Sequence, residues 1–242
     1  MRYELLTMLG GLFSGGKNSS GELHKRAVAV QSDSYDYQIC VPQAAKAESL
    51  PVFVFLHGIR ERGTGGFLPT EGAGALVLRQ YLTRVPAIIL LPQCRTGSYW
   101  TDPVMDAMVI KSLAQTIEEF GADAARTSLI GVSMGGYGVW HFAAKYPNRF
   151  AALVSICGGS PILTGERFAP IAEKVGATPA WLFHGDADPI VPVAESREMV
   201  KALKTVGSSA KYSEFAGVGH NVWMNALAEK QLLPWLLAQQ RQ

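Results

Sequence analysis

Ser128-Leu129-Ile130-Gly131-Val132-Ser133-Met134-Gly135-Gly136 decides how the rest of this chain is read. A short apolar strand runs into a serine that has a glycine two residues away on either side, and a helix-like segment follows at 135–146. A serine on so sharp a strand-to-helix turn needs those glycines, because side chains there would collide with the neighbouring strand and helix. The turn strains the serine's backbone and projects its hydroxyl over the carboxyl edge of a sheet, with a helix N-terminus behind it to favour developing negative charge. An ordinary glycine-rich strand-to-helix turn is the competing reading, and the flanking strand and helix weigh against it.

A serine alcohol is a poor nucleophile at neutral pH and needs a base, normally histidine, itself oriented by a carboxylate. For a serine on this kind of turn the chain order is serine, acid, histidine, so both partners are sought downstream. His141 falls inside the helix that follows Ser133, which leaves His184 and His220. His220 sits in Gly217-Val218-Gly219-His220-Asn221, after the last strand and before the C-terminal helix, where the base is expected. His184 ends a strand and is expected to bond loop backbone. Two acids follow it, Asp186 and Asp188; Asp188 is preferred because Pro189 fixes the turn and removes a competing backbone donor.

The reaction also needs two backbone N–H groups aimed at the developing oxyanion. Met134, next to the nucleophile, supplies one. Ile59 is assigned the other, from Leu56-His57-Gly58-Ile59-Arg60-Glu61-Arg62-Gly63, since Gly58 lets that loop approach the site. His57 is expected to tie the loop down. Tyr99, Trp100 and Trp223 are candidate aromatic walls of the substrate cleft, against the plainer reading that they anchor loops to the core.

From about residue 26 short apolar runs alternate with helix-like segments, the pattern of a mainly parallel sheet covered on both faces. Strands are expected at 26–31, 35–41, 52–56, 87–91, 128–131, 152–156, 180–183 and 211–215, the first two joined antiparallel through Ser32-Asp33-Ser34. Tyr35, Tyr37, Ile39 and Val41 share one face of the second. Helices are expected at 74–82, 104–120, 135–146, 193–206 and 222–239, with a short one near 168–175. The reading is one α/β domain over 22–242, with residues 1–21 a loosely attached arm. The segment 159–178 is too short for a large lid, so the site is expected to be open.

Composition narrows the partners. The chain has 242 residues, 48% of them hydrophobic and 17% charged, which suits a packed globular protein and excludes disorder. Lys and Arg number 22 against 20 Asp and Glu, scattered rather than clustered, so neither nucleic acid nor a lipid surface is implied. No apolar run reaches the 18 to 20 residues needed to span a bilayer. Cys40, Cys94 and Cys157 are too few and too far apart for a disulfide framework and are expected to be buried thiols. No zinc-type spacing occurs, so neither metal nor cofactor is expected. Arg2 with Leu5 to Phe13 has the outline of a secretory signal, but Glu4 interrupts it and no small-residue cleavage site follows, so a cytoplasmic protein is expected, with a secreted one the alternative. Gly11-Leu12-Phe13-Ser14-Gly15-Gly16-Lys17-Asn18 nearly spells a phosphate-binding loop and fails at Asn18, which lacks the hydroxyl that ligates magnesium.

With these residues in place the chain resembles the α/β-hydrolases, within them the small carboxylesterase, feruloyl-esterase and predicted-peptidase group related to polyhydroxybutyrate depolymerases. The resemblance rests on Phe55-Leu56-His57-Gly58 with Glu61-Arg62-Gly63, and on Leu91-Pro92-Gln93-Cys94 with Tyr99-Trp100. It continues in Gly131 to Gly138, His141, Tyr146-Pro147, Ile156-Cys157-Gly158-Gly159, His184-Gly185 with Asp188, and Gly219-His220. The chain departs from that pattern at Ile59-Arg60, where such proteins usually carry a small residue and glycine. The resemblance implies an α/β-hydrolase fold and an acyl-enzyme route for short-chain acyl or small aromatic, feruloyl-type esters, with Ser133, His220 and Asp188 in the three roles. A peptidase or polyester depolymerase on the same triad, or a catalytically silent binding module, are the alternatives.

Overall fold

A computed structural model describes residues 21–42, 50–64 and 85–241. The expected arm at 1–21, but for Gly21, lies outside the described residues, and so do the phosphate-loop look-alike and the helix at 74–82.

Eight strands form one sheet: β1 (Glu22–Val30), β2 (Asp33–Val41), β3 (Val52–Leu56), β4 (Ile88–Pro92), β5 (Thr127–Val132), β6 (Ala152–Ile156), β7 (Ala180–Gly185) and β8 (Lys211–Phe215). Their spatial order is β1-β2-β4-β3-β5-β6-β7-β8; β1 pairs antiparallel with β2, β2 with β4, and every later pair is parallel. Parallel strands put the loops that follow them on one edge. The turns after β3, β5, β7 and β8 therefore converge, although the first follows Leu56 and the last Phe215.

The central strands are buried on both faces, and their side chains alternate between two cores. Val52, Val54, Leu56, Leu129, Leu153 and Leu182 face a layer that includes α1 (Pro103–Phe120), α2 (Met134–Lys145), α3 (Ala169–Val175) and α4 (Ala194–Thr205). Phe53, Phe55, Ile130, Val154, Ile156 and Phe183 face the other side, where α5 (Trp223–Ala228) and α6 (Leu232–Leu237) pack through Ala226, Leu227, Leu232 and Leu236. No helix of the described residues is long and apolar enough to cross a membrane.

Two expectations are corrected. The β1–β2 turn is the dipeptide Gln31-Ser32, because Val30 pairs directly with Asp33; Gln31 takes φ +56°. A two-residue hairpin needs positive φ at its first position to match strand twist, normally supplied by glycine or asparagine, so this glutamine carried no turn signal. The C-terminal helix expected at 222–239 is two helices. Pro234 has no N–H and its ring excludes the carbonyl four residues back, so the helix breaks and restarts with Pro234 in the first turn of α6. Both strands of the hairpin also reach further than expected, β1 beginning at Glu22 and β2 at Asp33.

Candidate active site

Ser133 caps α2 with φ +54° and ψ −116°, a left-handed conformation costly for any residue with a Cβ. The surroundings enforce it. A Cβ at Gly131 would overlap the carbonyl of Gly135, one at Gly135 would overlap the carbonyl of Leu56, and one at Gly136 would lie 2.7 Å from the Gly158 Cα. These close approaches of β5, α2, β3 and the β6 turn are why the motif needs glycine. The Ser133 N–H is held by the Ile156 carbonyl at 2.8 Å, which ties the turn to β6.

His220 Nε2 lies 2.9 Å from Ser133 Oγ, and His220 Nδ1 lies 2.7 Å from Asp188 Oδ2. That geometry suits the neutral tautomer with its proton on Nδ1, which donates to Asp188 and leaves Nε2 to accept the serine proton. Asp188 is fully buried. Burial alone would raise its pKa, but the His220 hydrogen bond and the Val191 and Ile190 amides outweigh it and hold the carboxyl below its ordinary value. Those amides reach Oδ1 at 3.0 and 2.8 Å, so each carboxylate oxygen has its own task.

Asp186 serves differently: its Oδ1 accepts the Gly217 N–H at 2.6 Å, fastening the start of the loop that carries His220. The sequence offered no pairing of 186 with 217. His184 is buried, bonding Ser196 Oγ at 2.7 Å and the Val191 carbonyl at 3.0 Å, and burial lowers its pKa. His141 is committed to buried Asp106, 2.8 Å away, which also accepts from the Tyr146 hydroxyl at 2.5 Å and pairs with Lys145 at 3.0 Å, stapling α1 to α2. Cys157 has φ +42° and lies against the base, its Sγ 3.6 Å from the His220 carbonyl; burial pushes the thiol up to about 12. Donor atoms of Cys157, Asp188 and His220 all lie within 4.8 Å of one another, the one such cluster among the described residues. Two of them are already hydrogen-bonded together and the thiol is held protonated, so the cluster reads as packing behind the base.

On the other side of Ser133 the loop after β3 forms a 3₁₀ turn, Ile59–Glu61, with Gly58 extended before it at φ −77° and ψ 179°. A Cβ placed on Gly58 would sit 3.7 Å from the Ser133 Cβ, so this backbone lies beside that serine. Ile59 is the first residue of its turn and Met134 the first of α2, positions whose N–H groups have no partner within their own helix. The Ile59 side chain is 43% exposed, leaving the amide as its contribution to the site.

This loop is bolted to the segment after β4. His57 accepts the Cys94 N–H at Nε2 (3.1 Å), Nδ1 lies 2.7 Å from the Gly58 carbonyl, and burial drives its pKa down to about 4. Trp100 donates to the His57 carbonyl at 2.9 Å and packs edge-on against its ring. Trp100 is only 1% exposed and lines no open cleft, which corrects the expectation of a substrate contact there. Tyr99 is exposed beside the Arg62 guanidinium, 5.4 Å from its ring centre. Trp223 stands perpendicular to the His220 ring with centroids 6.1 Å apart, the one expected aromatic that meets a triad member.

Comparison with known proteins agrees with the fold. The family model described as Phospholipase/Carboxylesterase matches residues 103–231, just over half the chain, a span that contains Ser133, Asp188 and His220 but not the Ile59 loop. An acyl-protein thioesterase 1 of Gibberella zeae is 27% identical over 132 residues, which cover 51% of this chain and 55% of that protein. The chain thus spans about half the length of the curated relative it matches. Among solved structures, a thermostable esterase superposes with a TM-score of 0.76 at 28% identity over 90% of this chain and 63% of that one. A ferulic acid esterase shares the fold at a TM-score of 0.70 and 16% identity, over 91% of this chain and 99% of that one.

Proposed function

This chain belongs to the phospholipase/carboxylesterase family, and on that premise we propose that it is a serine carboxylesterase acting on short-chain acyl or small aromatic esters through an acyl-enzyme. The observation that carries the reading is the continuous hydrogen-bonded line from Ser133 Oγ through His220 to Asp188, at 2.9 and 2.7 Å. His220 Nε2 takes the serine proton as Oγ attacks the acyl carbon, and the imidazolium so formed keeps its Nδ1 proton, which it donates in a hydrogen bond to the Asp188 carboxylate. The tetrahedral oxyanion lies between the amides of Ile59 and Met134, where fixed dipoles stabilise charge without reorganising. Collapse expels the alcohol, which takes the proton from Nε2. Water then repeats the sequence against the acyl-serine, with His220 again as base.

Residues 22–242 act in this reading as one hydrolase domain, with a small-molecule ester as partner and no metal or cofactor. Cys94 and Cys157 are free buried thiols, which suits the cytoplasmic setting that goes with it. Trp223 beside His220 favours a flat ring or short chain over the attacking face. A second reading, thioester hydrolysis, is favoured by the match to an acyl-protein thioesterase and uses the same steps with a thiolate as leaving group.

The test is a panel of nitrophenyl esters from acetate to laurate, with methyl ferulate and an acyl-coenzyme A thioester added. A burst of nitrophenol equal to the enzyme concentration is expected with acetate or butyrate. Ser133→Ala should keep the fold and lose at least about 10³-fold in kcat/KM, because the covalent route is gone. More than a tenth of wild-type activity in that variant would reject the triad. Preference for the thioester by kcat/KM would select the second reading.

A further inference from the structure

The oxyanion loop raises a question that the triad does not answer. Its 3₁₀ turn is three residues long, begins at a glycine with no side chain to cap it, and has an exposed Arg60 at its centre and Arg62 just after it. Within the turn the Glu61 N–H donates to the Gly58 carbonyl at 3.3 Å and Arg62 Nε to the Ile59 carbonyl at 3.2 Å, bonds that hold carbonyls and leave the Gly58 and Ile59 amides to other partners. On the side away from Ser133 it is fastened by the β4 segment: Gln93 donates to the Glu61 carbonyl at 2.6 Å, Gly63 donates to the Cys94 carbonyl at 3.0 Å, and Arg62 donates to the Ser98 carbonyl at 3.1 Å. The His57 ring, 2.7 Å from the Gly58 carbonyl, meets only the carbonyl side, and none of these three bonds reaches the Gly58 or Ile59 N–H.

Glu61 does. It is the third residue of the turn, the position from which a glutamate reaches back to the backbone N–H of the residue before the helix. Its Oε2 lies 3.0 Å from the point where a Gly58 Cβ would stand, a point that is itself 3.7 Å from the Ser133 Cβ. The carboxylate is partly buried there, and burial holds its pKa above the ordinary value, the amides of Glu61 itself and Gly58 and the charge of Arg60 offsetting only part of that rise. Gly58 thus has a second role besides letting the loop approach the serine: any side chain would occupy the space this carboxylate uses.

We propose that Glu61 is a positioning residue for catalysis, its carboxylate spanning the 3₁₀ turn back to Gly58 so that the Ile59 N–H faces the oxyanion formed at Ser133. This rests on the serine-esterase reading given above. Glu61 touches no reacting atom; it acts through one amide. Its removal therefore weakens the transition state while leaving ground-state binding alone, since the oxyanion exists only in the former. Glutamine keeps the side-chain length and an acceptor oxygen, and aspartate is one methylene too short to reach.

Kinetics on a soluble butyrate ester, with wild type and the variants Glu61→Ala, Glu61→Gln, Glu61→Asp and Ile59→Pro, decides the matter. Proline suits position 59, the first residue of the turn, and the extended Gly58 before it tolerates a following proline, so the change deletes the amide with little backbone cost. Glu61→Ala and Glu61→Asp are expected to lose roughly 10- to 100-fold in kcat at unchanged KM, with Glu61→Gln within about threefold of wild type. Affinity for a boronic acid, which forms a tetrahedral adduct on Ser133, should fall in parallel with kcat/KM. In the Ile59→Pro background, adding Glu61→Ala should cost almost nothing further, because the amide it orients is gone.

The proposal is overturned by wild-type kcat in Glu61→Ala, by a loss confined to KM, by Glu61→Gln as poor as alanine, or by full additivity with Ile59→Pro. If Glu61→Ala does not fold, the glutamine and aspartate pair carries the same comparison. Full activity in Ser133→Ala would instead bring down the esterase reading itself, whatever the Glu61 variants do.

Discussion

On one side of Ser133 stand two side chains, His220 and Asp188, linked to it at 2.9 and 2.7 Å. On the other stand the backbone amides of Ile59 and Met134, brought close by glycines at 58, 131 and 135. In the proposed mechanism the base side performs chemistry that only particular side chains can do, and it is held by further side chains: Asp186 on Gly217, Ser196 on His184. The oxyanion side uses a group every residue but proline possesses, so its precision lies in where the chain is allowed to run. The first kind of site is sensitive to chemical substitution. The second is sensitive to a methyl group or a proline and indifferent to most side chains.

That contrast can be broken in order of expected effect. Asp188→Asn should lower kcat by about 10⁴-fold, since an amide no longer fixes the Nδ1–H tautomer of His220. Asp186→Asn, which keeps an acceptor for Gly217, should lose less than about tenfold, a ratio of losses on the scale of the triad value. A reversed ranking in steady-state assays would transfer the acid role to Asp186.

Ile59→Pro should cost on the order of 10² to 10³ in kcat, the range for losing one oxyanion donor, whereas Ile59→Ala should stay near wild type. Equal losses in the two variants would mean that the side chain, not the amide, does the work, and the contrast between the two sides would fail.

The scaffold behind the oxyanion side has its own pH signature. His57 is neutral when folded down to about pH 4, while an unfolded histidine titrates near 6.5. Between those values the unfolded chain binds a proton that the folded chain refuses, so stability falls as pH drops from about 6.5 toward 4 and is unaffected by this group above 7. The loss amounts to about 3 kcal/mol at most. Denaturant titrations at pH 7 and 4.5 should show it, and His57→Gln should flatten the difference. An unchanged pH slope in that variant would remove His57 from the account.

The smallest effect belongs to Trp223. Its ring stands over His220 without bonding it, so Trp223→Ala should raise KM for aryl esters a few-fold and leave kcat for acetate nearly unchanged. A greater loss with acetate than with aryl esters would make the ring a support for His220 rather than a wall for substrate.

How far the residues could be read follows the same division. Strands β3 and β6 have the limits their apolar runs and flanking turns announce, because buried parallel strands are apolar throughout. Ser133, Asp188 and His220 stand out in the chain because each is a rare chemical type in a marked setting, and the structure brings them together. Trp100 and the first hairpin resisted. An aromatic beside a strand end reads alike whether it lines a cleft or bolts a loop, and a glutamine gives no sign that it will take φ +56°.

The amino-acid sequence alone determined the order of elements, the serine with its strained turn, and the types of its partners, because these depend on local sterics and on side-chain chemistry that each residue carries with it. Which of two aspartates faces the histidine, which tryptophan is buried, and where Glu61 directs its carboxylate were decided only when parallel strands brought four distant loops to one edge. Those outcomes turn on distances of a few ångströms between segments as far apart as 57 and 220, and no spacing along the chain encodes them.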